Sequence, residues 1–289
     1  MRFANVLIEG APHLILSEGT SISLVRSVRG IELTTTDELL ALPDQGFNKS
    51  ELDLESIPGE TALKYRPSVV SPEKIILAAV NYRSHSRENR RSDLTSPYFF
   101  GRFRNSLIGP FDDLVLPRNS IKIDWEAELS VIIGKRGKYI SSSSAMEYIA
   151  GYSISNDFSW REQQMEVFKG QGMGSHWYTG KSFDASFPLG PYLVTQDDIG
   201  DPGNLAIRLS VNGKTMQDGS SSDMIFDIPA LVEKASVGIT LLPGDVISTG
   251  TPSGVAYFSG KPFIKAGDRI RTEIEGIGHL ENVARAEYA

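Results

Sequence analysis

Residues 124–134 read Asp-Trp-Glu-Ala-Glu-Leu-Ser-Val-Ile-Ile-Gly, a stretch in which acidic residues run directly into an apolar segment. The apolar part predicts a buried strand. Side chains on a strand alternate between its two faces, so Glu126 and Glu128 are expected to point the same way. A third acidic residue, Asp157, ends the strand-like run Gly-Tyr-Ser-Ile-Ser-Asn-Asp at 151–157. The sequence therefore predicts three carboxylates at the ends of two strands.

Three neighbouring carboxylates predict a cation between them. Ionised carboxylates side by side repel each other unless positive charge lies close by. Three oxygen ligands, with room left for water or substrate, suit Mg²⁺ or Mn²⁺. The alternative is that Glu126 and Glu128 lie on the solvent face of a half-buried strand, which is the usual position of an isolated Glu-x-Glu pair.

The composition excludes several classes of protein. The 289 residues carry a net charge of −7, which argues against a general nucleic-acid binder because such a protein needs a basic surface. The sequence contains no cysteine, so disulfides, thiolate metal sites and cysteine nucleophiles are excluded. The sequence has neither an apolar run of about 18 residues, which a membrane span would need, nor a visible signal peptide. We therefore expect a cytoplasmic protein.

The chain is punctuated by Pro67 and Pro72 near residue 70. This predicts a small β-rich N-terminal domain at 1–70 and a main domain at 71–289. Predicted strands outnumber predicted helices and do not alternate regularly with them. We therefore expect an α+β, β-rich fold with a mixed or antiparallel sheet.

Three helix starts are legible in the main domain. Asp227 is a candidate N-cap for a helix with a proline in its first turn. Ser144 with Glu147, and Ser159 with Glu162, have the spacing of a capping box, in which each side chain accepts a hydrogen bond from a free backbone N–H.

A series of motifs lies in a fixed order over roughly residues 70–289. The motifs are Ala-Val-Asn-Tyr-Arg-Ser-His-Ser-Arg-Glu (79–88), Asp-Trp-Glu-Ala-Glu-Leu (124–129), Gly-Tyr-Ser-Ile-Ser-Asn-Asp-Phe-Ser-Trp-Arg-Glu (151–162), Gly-Lys-Ser-Phe-Asp (180–184), Pro-Leu-Gly-Pro (188–191), Leu-Leu-Pro-Gly-Asp-Val-Ile (241–247) and Thr-Gly-Thr-Pro-Ser-Gly-Val (249–255). This series resembles the fumarylacetoacetate hydrolase family. The resemblance implies a catalytic domain of the family's mixed β-roll and β-sandwich type at 71–289, and a homodimer.

The resemblance also implies which residues form the site. Glu126, Glu128 and Asp157 match the family's metal ligands, so the metal interpretation replaces the solvent-face one. His85 and Glu88 match a His-x-x-Glu pair. Three residues apart, they share one helix face, where Glu88 orients the imidazole and His85 draws a proton from a water. An isolated pair of this kind would more often be an exposed polar helix.

Further residues match positions around the family's substrate. Lys181, which alone would more often be a surface lysine, is expected to hold an oxyanion as a catalytic residue. The expected substrate-binding residues are Tyr82, Arg161, Gln164, Thr251 and Arg102. Thr251 also fits a tight turn that ends a strand.

Some positions depart from the family pattern. The family's Phe-x-Lys near residue 100 is Phe100-Gly101-Arg102 here, and the arginine is expected to supply a flatter, bidentate cationic contact. The family's Arg-Asp after the third metal ligand is Arg161-Glu162. The Gly-rich segment 170–178 lacks the spacing of a phosphate loop. We expect it to form a flexible wall of the pocket, with His176 as a secondary substrate contact. Together with this segment, Arg102 and Arg104 are candidates for setting specificity.

The leading functional expectation is a Mg²⁺- or Mn²⁺-dependent hydrolase. It would cleave a C–C bond in a 1,3-dicarbonyl 2-oxo acid of the acylpyruvate or fumarylpyruvate type through a metal-stabilised enolate. The same chemistry serves oxaloacetate decarboxylation or tautomerisation, isomerisation, hydration and lyase reactions, and the resemblance does not choose among them. The third expectation is a non-catalytic ligand-binding member. The expected partner is a small 2-oxo acid, with neither nucleic acid nor membrane involved.

Overall fold

The computed structural model describes residues 1–43, 48–90, 92–167, 169–170 and 175–287. Within these ranges the strands are, in chain order, β1 (Arg2–Ile8), β2 (Ala11–Glu18), β3 (Ser21–Val28), β4 (Ile31–Glu32), β5 (Leu52–Ser56), β6 (Lys64–Tyr65), β7 (Ile75–Ala78), β8 (Phe99–Arg102), β9 (Leu107–Ile108), β10 (Leu114–Leu116), β11 (Ile123–Asp124), β12 (Ala127–Ile133), β13 (Ile149–Asn156), β14 (Ser159–Trp160), β15 (Phe187–Thr195), β16 (Ala206–Val211), β17 (Lys214–Ser220), β18 (Val246–Ser248), β19 (Arg269–Ile274) and β20 (Gly278–Ala286).

Helices are short and fewer than the strands. The α-helices are α1 (Thr36–Ala41), α2 (Arg83–Glu88), α3 (Trp177–Lys181), α4 (Gln196–Ile199), α5 (Ile228–Ala235) and α6 (Ala256–Ser259). A π-helical turn spans Glu162–Glu166, and 3₁₀ turns span Lys49–Glu51, Arg104–Ser106, Ser142–Tyr148 and Ser221–Asp223. The predicted β-rich α+β class is confirmed. Among the described residues, no helix has the length and apolar character that crossing a bilayer requires.

The larger sheet runs through both parts of the chain. Its strand order is β4-β3-β2-β1-β15-β13-β12-β18-β7-β8, with β5, β6 and β9 paired at its sides. Most pairs are antiparallel, but β18 runs parallel to β7, and β9 runs parallel to β15. Strand β1 pairs with β15 through Arg2 and Val194. The division into domains at 1–70 and 71–289 stays a prediction, and one sheet crosses its boundary.

A second sheet covers the centre of the first. Its strand order is β10-β20-β19-β16-β17. Leu129 and Tyr152 of the larger sheet belong to the same buried cluster as Leu209 and Leu280 of the smaller one. Apolar residues from the two facing sheets therefore form the main core, as in a β-sandwich.

Strand β12 has a different chemistry on each face. Ala127, Leu129 and Val131 point into the core between the two sheets. Glu128 and Ser130 alternate with them and therefore lie on the opposite face. Apolar and acidic side chains therefore occupy opposite faces of this strand, and both faces are buried.

The three predicted helix starts have different outcomes. Asp227 caps α5 as predicted, because its Oδ1 accepts the backbone N–H of Ala230 at 2.9 Å. The capping boxes at Ser144 and Ser159 are wrong: Ser144 lies inside a 3₁₀ turn, and Ser159 lies in β14. Glu162 instead accepts the backbone N–H groups of Ile121 and Lys122, so a contact from a distant segment replaces the local one.

Gly151 provides a test of how tightly β13 and β15 pack. A Cβ at this position would lie 2.1 Å from the carbonyl oxygen of Val194, a backbone atom that cannot move aside. We expect Gly151→Ala to lower the free energy of unfolding by about 1–3 kcal/mol, as overpacking in a core does. Gly59→Ala is the matched control, because a Cβ at Gly59 meets no atom within 4 Å. Equal stability of the two variants in chemical denaturation would contradict this packing.

Candidate metal centre and active site

The three predicted acidic residues come together on one face of the larger sheet. Glu126 immediately precedes β12, Glu128 lies within it, and Asp157 immediately follows β13. The backbone N–H of Asp157 donates to the carbonyl of Glu126 at 2.9 Å, which continues the pairing of the two strands to the site. Each residue offers one carboxylate oxygen, and the three oxygens lie within 4.8 Å of one another. This buried set of hard oxygen donors fits a Mg²⁺ or Mn²⁺ ion.

Side-chain cations surround two of the three carboxylates. Lys181, at the end of α3, contacts Glu126 at 2.7 Å and also Asp157. The Arg161 guanidinium donates to Glu126 at 2.6 Å, and Arg102 donates to Asp157 at 2.6 Å. These cations come from three separate segments of the chain. Negative charge is therefore concentrated and compensated within the protein interior.

The local charges affect the three carboxylates differently. Burial acts to raise the pKa of Glu126, but attraction to Lys181 and Arg161 outweighs burial and lowers that pKa. Burial also raises the pKa of Asp157, against the opposing attraction of Lys181 and Arg102. Glu128 is the extreme case, because burial and the neighbouring carboxylates together raise its pKa well above the ordinary value. Among the described residues, Glu128 has no ion pair of its own. A divalent ion bound between the three carboxylates would therefore supply the positive charge that Glu128 lacks.

His85 and Glu88 form the predicted pair on α2. His85 Nδ1 lies 3.2 Å from Glu88 Oε2. The other oxygen of Glu88 accepts the backbone N–H of Gly254 at 2.9 Å, which fixes the carboxylate behind the ring. On the far side of the imidazole, Asn89 Nδ2 lies 3.4 Å from Nε2. With the amide as donor, this arrangement assigns the ring proton to Nδ1 and a lone pair to Nε2.

A cavity of about 50 Å³ lies beside the acidic residues. Its lining includes these predicted site residues: His85, Glu126, Glu128, Asp157, Arg161, Gln164, Lys181 and Thr251. Ser175 and Trp177 also line it, and the Trp177 ring stacks on Phe100 at 4.2 Å.

Residues 171–174 of the predicted Gly-rich wall lie outside the described residues. His176 donates its backbone N–H to the carbonyl of Gln164 at 2.9 Å.

Two predicted substrate-binding residues lie behind the cavity wall. Arg102 is buried and donates to Asp157, to Ser186 Oγ at 2.6 Å and to the carbonyl of Phe158 at 3.3 Å. Tyr82 is fully buried, with its hydroxyl 3.3 Å from Thr249 Oγ1. Their predicted contact with substrate stays a prediction, and the structure gives both residues a contact with the protein itself. Arg104 is exposed on its 3₁₀ turn.

Several residues that support the site were not predicted. Asp124 is buried and accepts Arg161 Nε at 2.8 Å and the backbone N–H of Ala256 at 2.7 Å. Gln217, on β17 of the smaller sheet, donates to Thr251 Oγ1 at 2.8 Å. Asp124 opens the acidic motif, so its proximity to Glu126 was a usable signal. No sequence pattern pointed to Gln217, because it lies far from the other site residues in the sequence.

Comparisons with known proteins agree with the fold and the motifs. The family model for the fumarylacetoacetate (FAA) hydrolase C-terminal domain matches residues 74–285. The human mitochondrial oxaloacetate tautomerase FAHD2A is 42% identical over 278 residues, which cover 94% of this chain and 87% of the relative. The chain belongs to the fumarylacetoacetate hydrolase family and is an enzyme of that family. It contains a buried acidic triad.

Two solved structures are similar over nearly the whole chain. The fumarylacetoacetate hydrolase of Exiguobacterium antarcticum superposes with a TM-score of 0.85 at 29% identity, covering 99% of this chain and all of its own. The maleylpyruvate hydrolase of Sphingobium sp. SYK-6, in complex with manganese(II) and pyruvate, gives a TM-score of 0.78 at 28% identity and covers both chains fully. The human relative is named as a mitochondrial protein. The cytoplasmic location of this chain stays a prediction.

Arg102 gives a test of the position that the structure assigns to it. Arg102→Lys keeps the charge, but a single ammonium cannot replace a planar guanidinium that reaches three acceptors. We expect the free energy of unfolding to fall by about 1–3 kcal/mol, because buried acceptors lose their donors. Arg104→Lys, two residues away and exposed, should change it by less than about 0.5 kcal/mol. If both variants are as stable as the wild type while the first raises KM, Arg102 serves the substrate instead.

Proposed function

We propose that this protein is a divalent-metal-dependent tautomerase, which interconverts the keto and enol forms of oxaloacetate or a closely related 2-oxo acid. The observation that carries the proposal is a cavity bordered by both the buried acidic triad and His85, whose ring is paired with Glu88. Its support from comparison is the relative of 42% identity, which is named an oxaloacetate tautomerase. This choice replaces C–C bond hydrolysis, the leading expectation from the sequence, with one of its alternatives.

Glu126, Glu128 and Asp157 would hold Mg²⁺ or Mn²⁺. When bound, such an ion supplies positive charge that favours the enolate form of a 2-oxo acid. The protein's own contribution is orientation: two of the ligands are fixed by ion pairs from Lys181, Arg161 and Arg102, and all three are shielded from water. Three carboxylate ligands suit Mg²⁺ and Mn²⁺ equally well, so the ligands do not distinguish between the two ions.

Tautomerisation moves one proton between C3 and the oxygen on C2 and consumes no other reactant. His85 is the proton carrier in this proposal, because it lines the cavity and its Nε2 carries the lone pair. Asn89, whose amide donates to this lone pair at 3.4 Å, also lines the cavity, and the proposal requires substrate to displace that long hydrogen bond. Glu88 accepts the Nδ1 proton and balances the charge of the imidazolium that forms. Lys181 Nζ has three N–H donors: two contact the carboxylates of Glu126 and Asp157, and the third reaches the Asp157 carbonyl at 3.4 Å. The proposal requires this third, long hydrogen bond to be exchanged for one to the C2 oxygen as negative charge develops.

C–C bond hydrolysis is the second candidate. It is favoured by the similarity over the full chain to a maleylpyruvate hydrolase that binds manganese(II) and pyruvate. Hydrolysis would use the same His85–Glu88 pair to activate a water for attack on the carbonyl beyond C3. The two reactions therefore differ in whether His85 takes its proton from carbon or from water, and in their products.

The primary experiment follows enol oxaloacetate by its ultraviolet absorbance. We expect the metal-loaded protein to accelerate loss of the enol well beyond the rate with free metal ions, and a chelator to abolish the acceleration. Product analysis on oxaloacetate should find neither CO₂ nor a second organic acid. Release of a second acid from an acylpyruvate, with no effect on enol oxaloacetate, would establish hydrolysis and end the tautomerase proposal.

Glu128→Gln tests the metal centre with little disturbance of the ion pairs. The change preserves the shape of the side chain and removes a charge that has no cationic partner among the described residues. We expect the dissociation constant for Mn²⁺, measured by isothermal titration calorimetry, to rise at least about 10-fold, and activity to fall with it. Asp218→Asn, an exposed acidic residue on β17, is the control and should leave both values unchanged.

His85→Gln tests the proton carrier separately from the metal. Removal of a general base typically lowers kcat by about 10²–10⁴-fold, and Mn²⁺ affinity should stay at the wild-type value. The partly buried His279 on β20 lies outside the cavity, so His279→Gln is a matched control with expected wild-type kcat. A wild-type kcat in the His85 variant would remove this residue from the mechanism.

Two further expectations from the sequence belong with the proposal. We propose a homodimer, which light scattering on the purified protein would test directly. We also propose a cytoplasmic location, which imaging of the tagged chain in its own cell would test.

A further inference from the structure

A chain of buried hydroxyl groups leads away from Glu128 on the metal-facing side of the larger sheet. Ser130 Oγ lies 2.8 Å from Ser155 Oγ, which lies 2.9 Å from Ser248 Oγ. Ser248 Oγ in turn donates to Glu128 Oε2. The three serines lie on the adjacent strands β12, β13 and β18, and all are fully buried. Cross-strand pairing brings them together: Ser155 lies opposite Glu128, and Ser248 lies opposite Ser130.

The chain has a single direction. A serine hydroxyl has one proton to donate. Ser248 gives its proton to Glu128, so Ser155 must be the donor to Ser248, and Ser130 is the donor to Ser155. Each donor is thus oriented by the next acceptor, and the series ends on a carboxylate. Hydrogen bonds aligned in this way polarise and strengthen one another in a low-dielectric interior.

The same contacts fix one oxygen of the Glu128 carboxylate. Oε2 accepts both Ser248 Oγ and the backbone N–H of Gly250, at 3.0 Å for the latter. Two protein donors therefore occupy the lone pairs of Oε2 and fix the orientation of the carboxylate. Lys181, Arg161 and Arg102 bind the other two ligands and not this one. Glu128 therefore depends on hydroxyl and backbone donors for its orientation.

We propose that Ser248, Ser155 and Ser130 form a relay that positions Glu128 as a ligand of the proposed metal centre. Ser155 and Ser130 are positioning residues that act through Ser248, since neither contacts Glu128 itself. The proposal rests on the metal centre described above and adds residues to it that lie behind the ligands. Its signature is a graded effect on metal affinity that decreases along the chain from Ser248 to Ser130.

The experiment measures Mn²⁺ binding to the metal-free full-length protein by isothermal titration calorimetry. Loss of a residue that orients a metal ligand typically weakens metal binding about 10–100-fold. We expect Ser248→Ala to fall in this range, Ser155→Ala to weaken binding about 10-fold, and Ser130→Ala to weaken it a few-fold. Thermal unfolding of each variant verifies that the protein is folded before titration.

Ser153→Ala is the matched control. Ser153 is also fully buried on β13, two residues before Ser155 and on the same face, but its hydroxyl pairs with Ser68 Oγ at 2.7 Å. Ser153 lies opposite Ser130 in the strand pairing, but its hydroxyl makes none of the relay's hydrogen bonds. Its removal therefore costs a comparable buried hydrogen bond and leaves those of the relay in place, so the Mn²⁺ affinity of this variant should equal that of the wild type. A purely structural effect of the serines would instead weaken binding equally in the Ser153 and Ser155 variants.

The outcomes separate this proposal from the metal centre on which it rests. If the wild type binds no Mn²⁺, both are overturned. If the wild type binds Mn²⁺ and the folded Ser155→Ala and Ser130→Ala variants bind it equally well, the relay alone is overturned. If Ser155→Ala does not fold, Ser130→Ala decides the question, because it removes the far end of the chain and leaves the two hydroxyls nearest the carboxylate in place.

Discussion

The charge balance in the buried site is the constraint on which the rest of the structure depends. Glu126 and Asp157 are shielded from solvent, and an uncompensated charge in that position costs several kcal/mol. Lys181 contacts both, while Arg161 and Arg102 each complete one ion pair. The three cations come from β8, from the segment after β14 and from the end of α3. Those segments, far apart in sequence, must therefore be correctly placed before the carboxylates can be ionised.

The sheet makes this placement possible, because one strand serves the core and the site together. On β12, Leu129 packs between the two sheets, while Glu128 lies on the opposite face, where the Ser248 hydroxyl of β18 donates to it. A shift of one residue in register would exchange the two faces and bury the acids in the apolar core. Packing of the core therefore fixes the position of Glu128, so the fold and the candidate metal centre depend on the same alternation of side chains.

The difference between local patterns and contacts from distant segments explains which features could be predicted from the sequence. The shared face of Glu126 and Glu128 followed from strand alternation, and the Asp227 cap from local spacing, because both are properties of a few neighbouring residues. The capping box at Ser159 failed because Glu162 meets backbone N–H groups from a segment 40 residues away. The contact of Gln217 with Thr251 depends on the second sheet folding over the first, and no local pattern encodes it.

The fixed ion pairs also limit where substrate selectivity can arise. All three nitrogens of the Arg161 guanidinium donate to protein acceptors, Asp124, Glu126 and Gln164, so this group is a rigid part of the wall. The charged residues are in this way committed to the carboxylates that surround the metal position. On the proposed function, differences between related 2-oxo acids would then be detected by the rest of the lining, which includes Trp177 stacked on Phe100. Members of one family can thus keep the same charged centre and act on different acids by changing the uncharged wall opposite it.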